Sequence, residues 1–520
     1  MLKSDRRGPV VTAAAACARG AKQHVHRPDT AGHRAGTRMM PMSPDSRPAP
    51  LAELASDRHY GAKVGAVEPG GAEVIPLAER HGRPLQLLWT WTSPNMEFAT
   101  IFVGILGVLV LHLNFWATVS AIVIGSALGG LTHGVLSSWG PSTGFSQMVL
   151  SRRAFGFLGN ILPAGINWLV AGVGWFAVNS VSGGLALSAL TGLNKYLCLV
   201  VVVALMLVLA YFGHNLIQAF ERYAAPLLTV IFVVGGIVIL SKAKVSGGTG
   251  SGFGGSWWIL LGATFGYSAG WNPYASDYTR YLPPGTGRRA GLWAGLGNFG
   301  ACTLLEIFGA AAATLFATGA PGTPGDYTGT LPTWLGQITL LGITLGAIAA
   351  NAVNVYSSAI SFSAMGIRLR TAPIRAVMAV VMGLAGFVVA AIGIDNIGSY
   401  ENFLLVIAYW VGPWLGVVLA DRILRRFRLN ELVFADRTYR NWAGPIAMVV
   451  AGGLSIWLFS AQSYYRGLIA GRVPGLGDLT FEVGFVLAFA LYALLYRRLA
   501  APIAVASPDP AAAASRRVTR

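Results

Sequence analysis

Apolar residues along this chain gather into runs of about 20, the length an α-helix needs to cross a hydrocarbon core about 30 Å thick. Read in order, about twelve such runs stand out: 96–113, 116–138, 160–187, 196–214, 223–241, 257–278, 291–317, 335–365, 376–393, 402–420, 442–460 and 481–496. The pattern predicts an all-α polytopic membrane protein. A soluble chain of 520 residues would be expected to split into several domains. Helices packed in lipid instead form one unit, here 85–498. Residues 1–84 are rich in Ala, Arg, His and Pro and lack apolar periodicity. They predict a disordered N-terminal tail with no apolar core of a signal peptide. Residues 499–520 predict a second disordered tail.

Composition agrees: 54% of residues are apolar and only 11% charged, too few charges to cover a soluble surface of this size. A formal charge of +17 raises the question of nucleic acid. The basic residues, however, are spread over short loops and two tails, with no compact basic domain. The expected partner is therefore the lipid bilayer, and no nucleic acid. If the N-terminus is cytoplasmic, the loops on that side carry Arg152, Arg153, Arg222, Arg280, Arg288, Arg289, Arg368, Arg370, Arg375, Arg422, Arg425, Arg426, Arg428, Arg437 and Arg440. The C-terminal tail adds Arg497, Arg498, Arg516, Arg517 and Arg520, whereas the opposite loops hold only Lys195, Lys242, Lys244, Arg466 and Arg472. That asymmetry predicts both termini inside the cell, in a multi-pass plasma-membrane protein. Cys17, Cys198 and Cys302 show no metal or redox spacing. No cofactor, metal or catalytic constellation is expected, and so no enzyme.

Two spans carry helix breakers. The first holds Phe102-Val103-Gly104-Ile105-Leu106-Gly107; the sixth holds Gly262 and then Gly266-Tyr267-Ser268-Ala269-Gly270-Trp271-Asn272-Pro273. Pro273 has no N–H and disfavours helix at Asn272. In lipid, backbone groups freed by such a break must find partners in the protein or in a wet cavity. Interruptions five spans apart predict a five-plus-five inverted repeat with a site at the midplane, followed by two further helices. The competing account of the glycines is close helix packing.

Several stretches resemble the nucleobase–cation symporter family of purine–cytosine permeases. They are VEPGGAEVIPLAERHGRP (67–84), SRRAFGFLGNILPAGINWLVAGVGWFAVN (151–179), GYSAGWNPYASDYTRYLP (266–283), NAVNVYSSAISF (351–362) and AYWVGPWLGVVLAD (408–421). The resemblance runs over about 67–496 and implies a fold of the leucine-transporter type. Spans one, two, six and seven would form a bundle, and three, four, eight and nine a scaffold. It implies alternating access and symport of a nucleobase or related planar heterocycle with a cation. It also implies that the solute lies between an aromatic on span three and one near the break in span six, its edge read from spans three and eight.

The residues supply matching groups. Trp175 sits mid-span in the Val-Gly-Trp-Phe context of the family's stacking tryptophan, and Asn179 shares its stripe. Tyr267, Ser268 and Trp271 flank the break in span six; Tyr267 is favoured as the second aromatic, Trp271 second. Asn351 and Asn354 share a face of span eight and offer the donors and acceptors an amide-like ring edge needs. Interhelical bonding competes for those two amides. Some family members carry an amide where this chain has Gly172.

For coupling, Glu306 lies mid-way along span seven and Glu97 towards the inner end of span one. Intramembrane carboxylates are functional by default. Sodium-coupled members of the family place hydroxyls on span eight where this chain has Ala349 and Ala350. A hard cation needs oxygen ligands, so the expectation is proton coupling through Glu306 or Glu97. Backbone carbonyls near Gly104 and Gly346 leave an ion site open as the alternative. Alternative cargoes are a sodium-coupled hydantoin, allantoin or thiamine precursor, or an amino acid or amine; the break residues offer no cationic partner for the carboxylate of an amino acid.

Overall fold

The computed structural model describes residues 64, 71–246, 250–367, 372–394, 399–425 and 432–501. The rest of both predicted tails lies outside them, with Cys17, Arg368, Arg370, Arg426, Arg428, Arg516, Arg517, Arg520 and the side chain of Arg375. Among the described residues the regular structure is helical. Eight helices are long and apolar enough to cross a membrane, and a bent pair makes a ninth span. Two shorter apolar helices, within Ala372–Gly393 and at Ala443–Phe459, and the interrupted sixth span bring the total to the twelve expected.

Span one differs from its prediction. It begins at Gln86, and its halves, Gln86–Asn95 and Phe98–Leu109, are bent by 57°. The break falls at Met96 and Glu97, not at Gly104, which sits inside the continuous second half. The cause is Pro94 in a 3-10 turn, Ser93–Asn95, ahead of an extended Glu97 (φ −150°, ψ 177°). Hydropathy misses the first half because Gln86–Thr92 is only seven residues long. Gly104 serves packing instead: a Cβ there would lie 1.7 Å from the Glu306 carbonyl oxygen of span seven.

Spans two, three and four are Phe115–Ser137, Ile161–Thr191 and Lys195–Phe212. Span five, His214–Lys242, starts nine residues before its predicted position. Gly213, at φ 83°, reverses the chain in one residue, so a stretch that Glu221 and Arg222 mark as a loop is helix. Span six runs from Gly255 to Ala269, breaks at Gly270 and Trp271, and resumes as Asn272–Tyr274 and Ala275–Thr279. Spans seven to twelve are Gly287–Ala313, Thr333–Ala364, Ala372–Gly393, Ser399–Leu424, Ala443–Phe459 and Thr480–Leu499.

Packing divides the spans into two layers. Span two packs on six and seven, and seven packs on both halves of one. Span three packs on four, eight and nine, and eight also on four and five. These are the bundle and scaffold of the leucine-transporter fold, with ten, eleven and twelve packed together beside span six. Gly134 and Gly291 show how the bundle closes: each one's Cβ would collide with the other's carbonyl oxygen, at 2.7 and 2.4 Å. Lipid offers no hydrophobic drive between helices, so such close backbone approach holds them together.

Part of the predicted tail is packed. Ile75 N–H donates to Gly144 O (2.9 Å), His81 N–H to Tyr281 O (2.6 Å), and Arg280, fully buried, donates to Gly71 O (2.7 Å). The segment 71–84 thus straps the N-terminal face of the bundle.

Adding a methyl at Gly104 forces two backbones apart, a strain of about 1–3 kcal/mol. Gly104→Ala is expected to lower the thermal unfolding midpoint of detergent-solubilised protein. Gly300→Ala, where nothing lies within 4 Å, is expected to leave it unchanged.

Candidate substrate site at the two helix breaks

The breaks in spans one and six face each other, and each is held by side chains. Glu97 caps the second half of span one by accepting from Ala99 N–H (2.8 Å). The same carboxylate accepts from Ser182 Oγ on span three (3.1 Å) and from Tyr267 Oη on span six (3.2 Å). It is fully buried at mid-span, not near an inner helix end as the predicted span implied. Asn95, also fully buried, accepts from Trp271 Nε1 (2.8 Å) and donates to Trp91 O (2.7 Å). Asn298 on span seven donates to Ser268 O (2.9 Å). The carboxylate and amides thus replace the partners that lipid cannot give.

Trp175 closes a six-residue π-helical stretch, Val170–Trp175, in span three. A π-bulge rotates the register of a helix and recurs at functional sites. It brings the Trp175 indole parallel to that of Trp271, with ring centroids 6.4 Å apart and planes 10° from each other. A Cβ on Gly270 would lie 3.0 Å from Trp175 Cζ2, so only glycine leaves that edge of the indole its room. Tyr267 meets Trp175 edge-on instead (5.5 Å, 84°). Parallel faces suit a planar guest, and the edge-on geometry does not, so Trp271 is the better partner. Ser268 lies within the helix, its hydroxyl turned to Ser126 O (3.3 Å).

A cavity of about 230 Å³ adjoins Trp175 on the side away from the N-terminal face. Its walls include Ala99, Phe102, Ala177, Ser182 and Phe403, the last edge-on to Trp175 at 5.0 Å. Towards the N-terminal face the route is shut by rings: Trp91 on Tyr278 (5.7 Å), Tyr278 on Tyr356 (5.3 Å) and His214 stacked on Tyr281 (3.9 Å).

The three predicted amides form one cluster joining spans three and eight. Asn351 donates to Phe176 O (2.8 Å) and Ser180 Oγ (3.1 Å), and accepts from Asn179 (3.1 Å) and Asn354 (3.3 Å). Its donors and its acceptor are thus all engaged within the scaffold. Asn354 keeps a buried Oδ1 without a partner. Glu306 accepts from Ser126 of span two (3.1 Å), inside the bundle. Sequence reasoning missed Asn95, Trp91, Asn298 and Phe403. Ser93-Pro94-Asn95 and Asn272-Pro273-Tyr274 were the available signal, since each break carries an Asn beside a Pro.

Two broken spans whose breaks face each other, with bundle and scaffold around them and a cavity beside span one, define a multi-pass membrane transport protein. The chain matches the family described as permease for cytosine/purines, uracil, thiamine, allantoin over residues 74–486, and it belongs to that family. It is 28% identical over 443 residues to purine-cytosine permease FCY2 of Saccharomyces cerevisiae, covering 78% of this chain and 81% of that one. It is 26% identical over 400 residues to cytosine permease of Escherichia coli O157:H7, covering 74% and 88%. Among solved structures it resembles Mhp1, a nucleobase-cation-symport-1 family transporter in a closed conformation with bromovinylhydantoin bound. The TM-score is 0.67 at 21% identity, over 83% of this chain and 95% of that one. That likeness establishes the fold.

Asn351→Ala strands buried partners on both helices, a loss of about 1–3 kcal/mol for each unsatisfied group. Its expected result is a lowered unfolding midpoint and a poor yield of folded protein, read by thermal scans in detergent.

Proposed function

We propose that the protein is a secondary symporter that imports a nucleobase or related planar heterocycle, of the cytosine and purine class, by alternating access. The observation that carries this reading is the parallel pair Trp175 and Trp271 beside a cavity of about 230 Å³. A flat ring between two aromatic faces needs them about 7 Å apart, more than the 6.4 Å between these ring centroids, so the pair has to part slightly to take one. Stacking of a base on an aromatic contributes about 1–3 kcal/mol. Glu97, Asn179 and the spare oxygen of Asn354 are the proposed readers of the ring edge, with Tyr267 and Ser268 shaping the break. Asn351 holds its neighbours in place.

The proposed coupling ion is a proton. Ala349 and Ala350 give span eight no hydroxyls for a sodium cage. Of the two sequence candidates, Glu97 touches both scaffold and bundle, through Ser182 and Tyr267. Glu306, which bonds only to Ser126 within the bundle, keeps the same surroundings as the layers move. Gly104 packs against span seven. The arginine bias supports a plasma-membrane location with both termini, and the residues preceding the strap, in the cytoplasm.

The decisive assay is uptake of labelled cytosine, adenine, hypoxanthine, uracil, allantoin and leucine in a host lacking its own nucleobase permeases. Uptake of at least one ring compound, and none of leucine, is expected; saturable leucine uptake alone would overturn the assignment. Trp175→Ala and Trp271→Ala are each expected to abolish that uptake in well-inserted protein. Asn354→Ala is expected to raise the half-saturation concentration about tenfold or more.

A further inference from the structure

Span five carries a carboxylate that no feature of the site described above employs. Glu221 lies seven residues into His214–Lys242, about 10 Å along the helix from the N-terminal face. It is fully buried, and neither carboxylate oxygen has a hydrogen-bond partner. Its neighbour Arg222 is no counterion: it is exposed, with its guanidinium over the Tyr223 ring.

What faces Glu221 is the turn that breaks span one. Span five packs on Gln86–Thr92 and on Ser93–Asn95, and the polar group against Glu221 is the Ser93 hydroxyl, itself buried and unpartnered. Gln218, three residues earlier on the same helical face, accepts from Thr90 Oγ1 (3.0 Å) and leaves its Nε2 without a partner. The seam between spans one and five therefore holds Ser93 Oγ facing the Glu221 carboxylate, with Gln218 Nε2 nearby, all buried and none with a hydrogen-bond partner within 3.5 Å. Buried polar groups of this kind are normally paired or wet.

The other elements packed on span five bring no charge to bear on Glu221. Span eight passes Ala349 and Ala350 at the level of the break, beyond Gly346, whose Cβ would lie 2.0 Å from Met96 O. Span four carries Lys195 and Tyr196 at its far end, Cys198 and the exposed Tyr211, and span seven carries the exposed Arg288 and Arg289, Cys302 and Glu306. On its own helix His214, two turns back, stacks on Tyr281. One carboxylate and one hydroxyl fall well short of the cage of about six oxygens that a hard metal cation takes. They do suit a proton, because an ionised carboxylate buried without a cation is very costly and a protonated one is not.

We propose that Glu221 is a proton-binding site on the seam between span five and the broken span one, and that the seam closes only when the proton is bound. The proton adds to one Glu221 carboxylate oxygen from water, forming an O–H bond. When the first half of span one swings away, water reaches the seam and takes the proton, leaving the carboxylate. This deepens the symport reading and rests on it: Glu97 meets the solute, and Glu221 ties the movement of span one to proton occupancy.

The test uses the purified full-length chain in proteoliposomes, with two readouts. The first needs no solute. The infrared band of a protonated carboxylic acid is recorded for wild type, E221Q and E306Q. Loss of a band in E221Q, and its fading in wild type as the pH is raised, are expected; a spectrum unchanged in E221Q overturns the proposal. The second uses labelled cytosine, or the ring compound that the uptake panel identifies. E221Q is expected to keep counterflow within about twofold of wild type while pH-gradient-driven accumulation falls about tenfold or more, and E221D to restore it. Accumulation by E221Q equal to wild type, loss of counterflow together with accumulation, or strict dependence of wild type on sodium would each overturn it. Failure of wild type to carry any ring compound would defeat the symport reading itself and leave the infrared result to decide whether Glu221 holds a proton.

Discussion

Peptide groups inside a bilayer have no water to turn to, and that constraint governs this molecule. Two spans are interrupted halfway across, so their freed N–H and C=O groups need partners from the protein. Glu97 supplies one through Ala99 N–H, and Asn298 supplies another through Ser268 O. Asn95 joins the two interruptions by bonding Trp91 O at one and Trp271 Nε1 at the other. The groups that mend the helices are buried polar groups that tie the two breaks to each other. In this family member, the repair of broken backbone and the construction of a polar site are one arrangement.

The division into bundle and scaffold then sorts the polar residues by what movement would do to them. Asn351 is bonded entirely within the scaffold, and Glu306 entirely within the bundle. None of those hydrogen bonds crosses between the two layers. Trp175 against Trp271, and Ser182 against Glu97, span the boundary. Ser93 against Glu221 spans the seam with span five. Residues whose surroundings would change if the layers moved have to belong to such crossing pairs. On the N-terminal face the strap 71–84, buried Arg280 and the stacked His214 and Tyr281 close the path. The cavity lies on the other side of Trp175.

A good part of this was legible in the chain. The number of spans and the break in span six around Gly270 to Pro273 follow from apolar run lengths and from Pro and Gly chemistry, while the pairing of Trp175 with an aromatic near that break comes from the family resemblance, with Tyr267 favoured. The break in span one was not, because hydropathy weighs length: the seven residues of Gln86–Thr92 fall below its window, and Pro94 then looks like the end of a loop. Glu221 was misplaced for a related reason. A Glu-Arg pair reads as polar chain, yet at 100° per residue the two side chains face different ways, one into the core and one out.

The sequence by itself determined that the chain is a stack of membrane helices, with its helix breakers and its intramembrane carboxylates and amides, since these depend on local composition and on a lipid solvent that tolerates little else. Only the tertiary structure decided which of those polar groups meet. It turned Asn351 into a strut engaged on every side, put Glu97 at the break, made Trp271 rather than Tyr267 parallel to Trp175, and set Glu221 against Ser93. The reason is that a partner 80 to 170 residues away is chosen by packing, and one turn of π-helix or a single glycine reversal changes which face of a helix is offered.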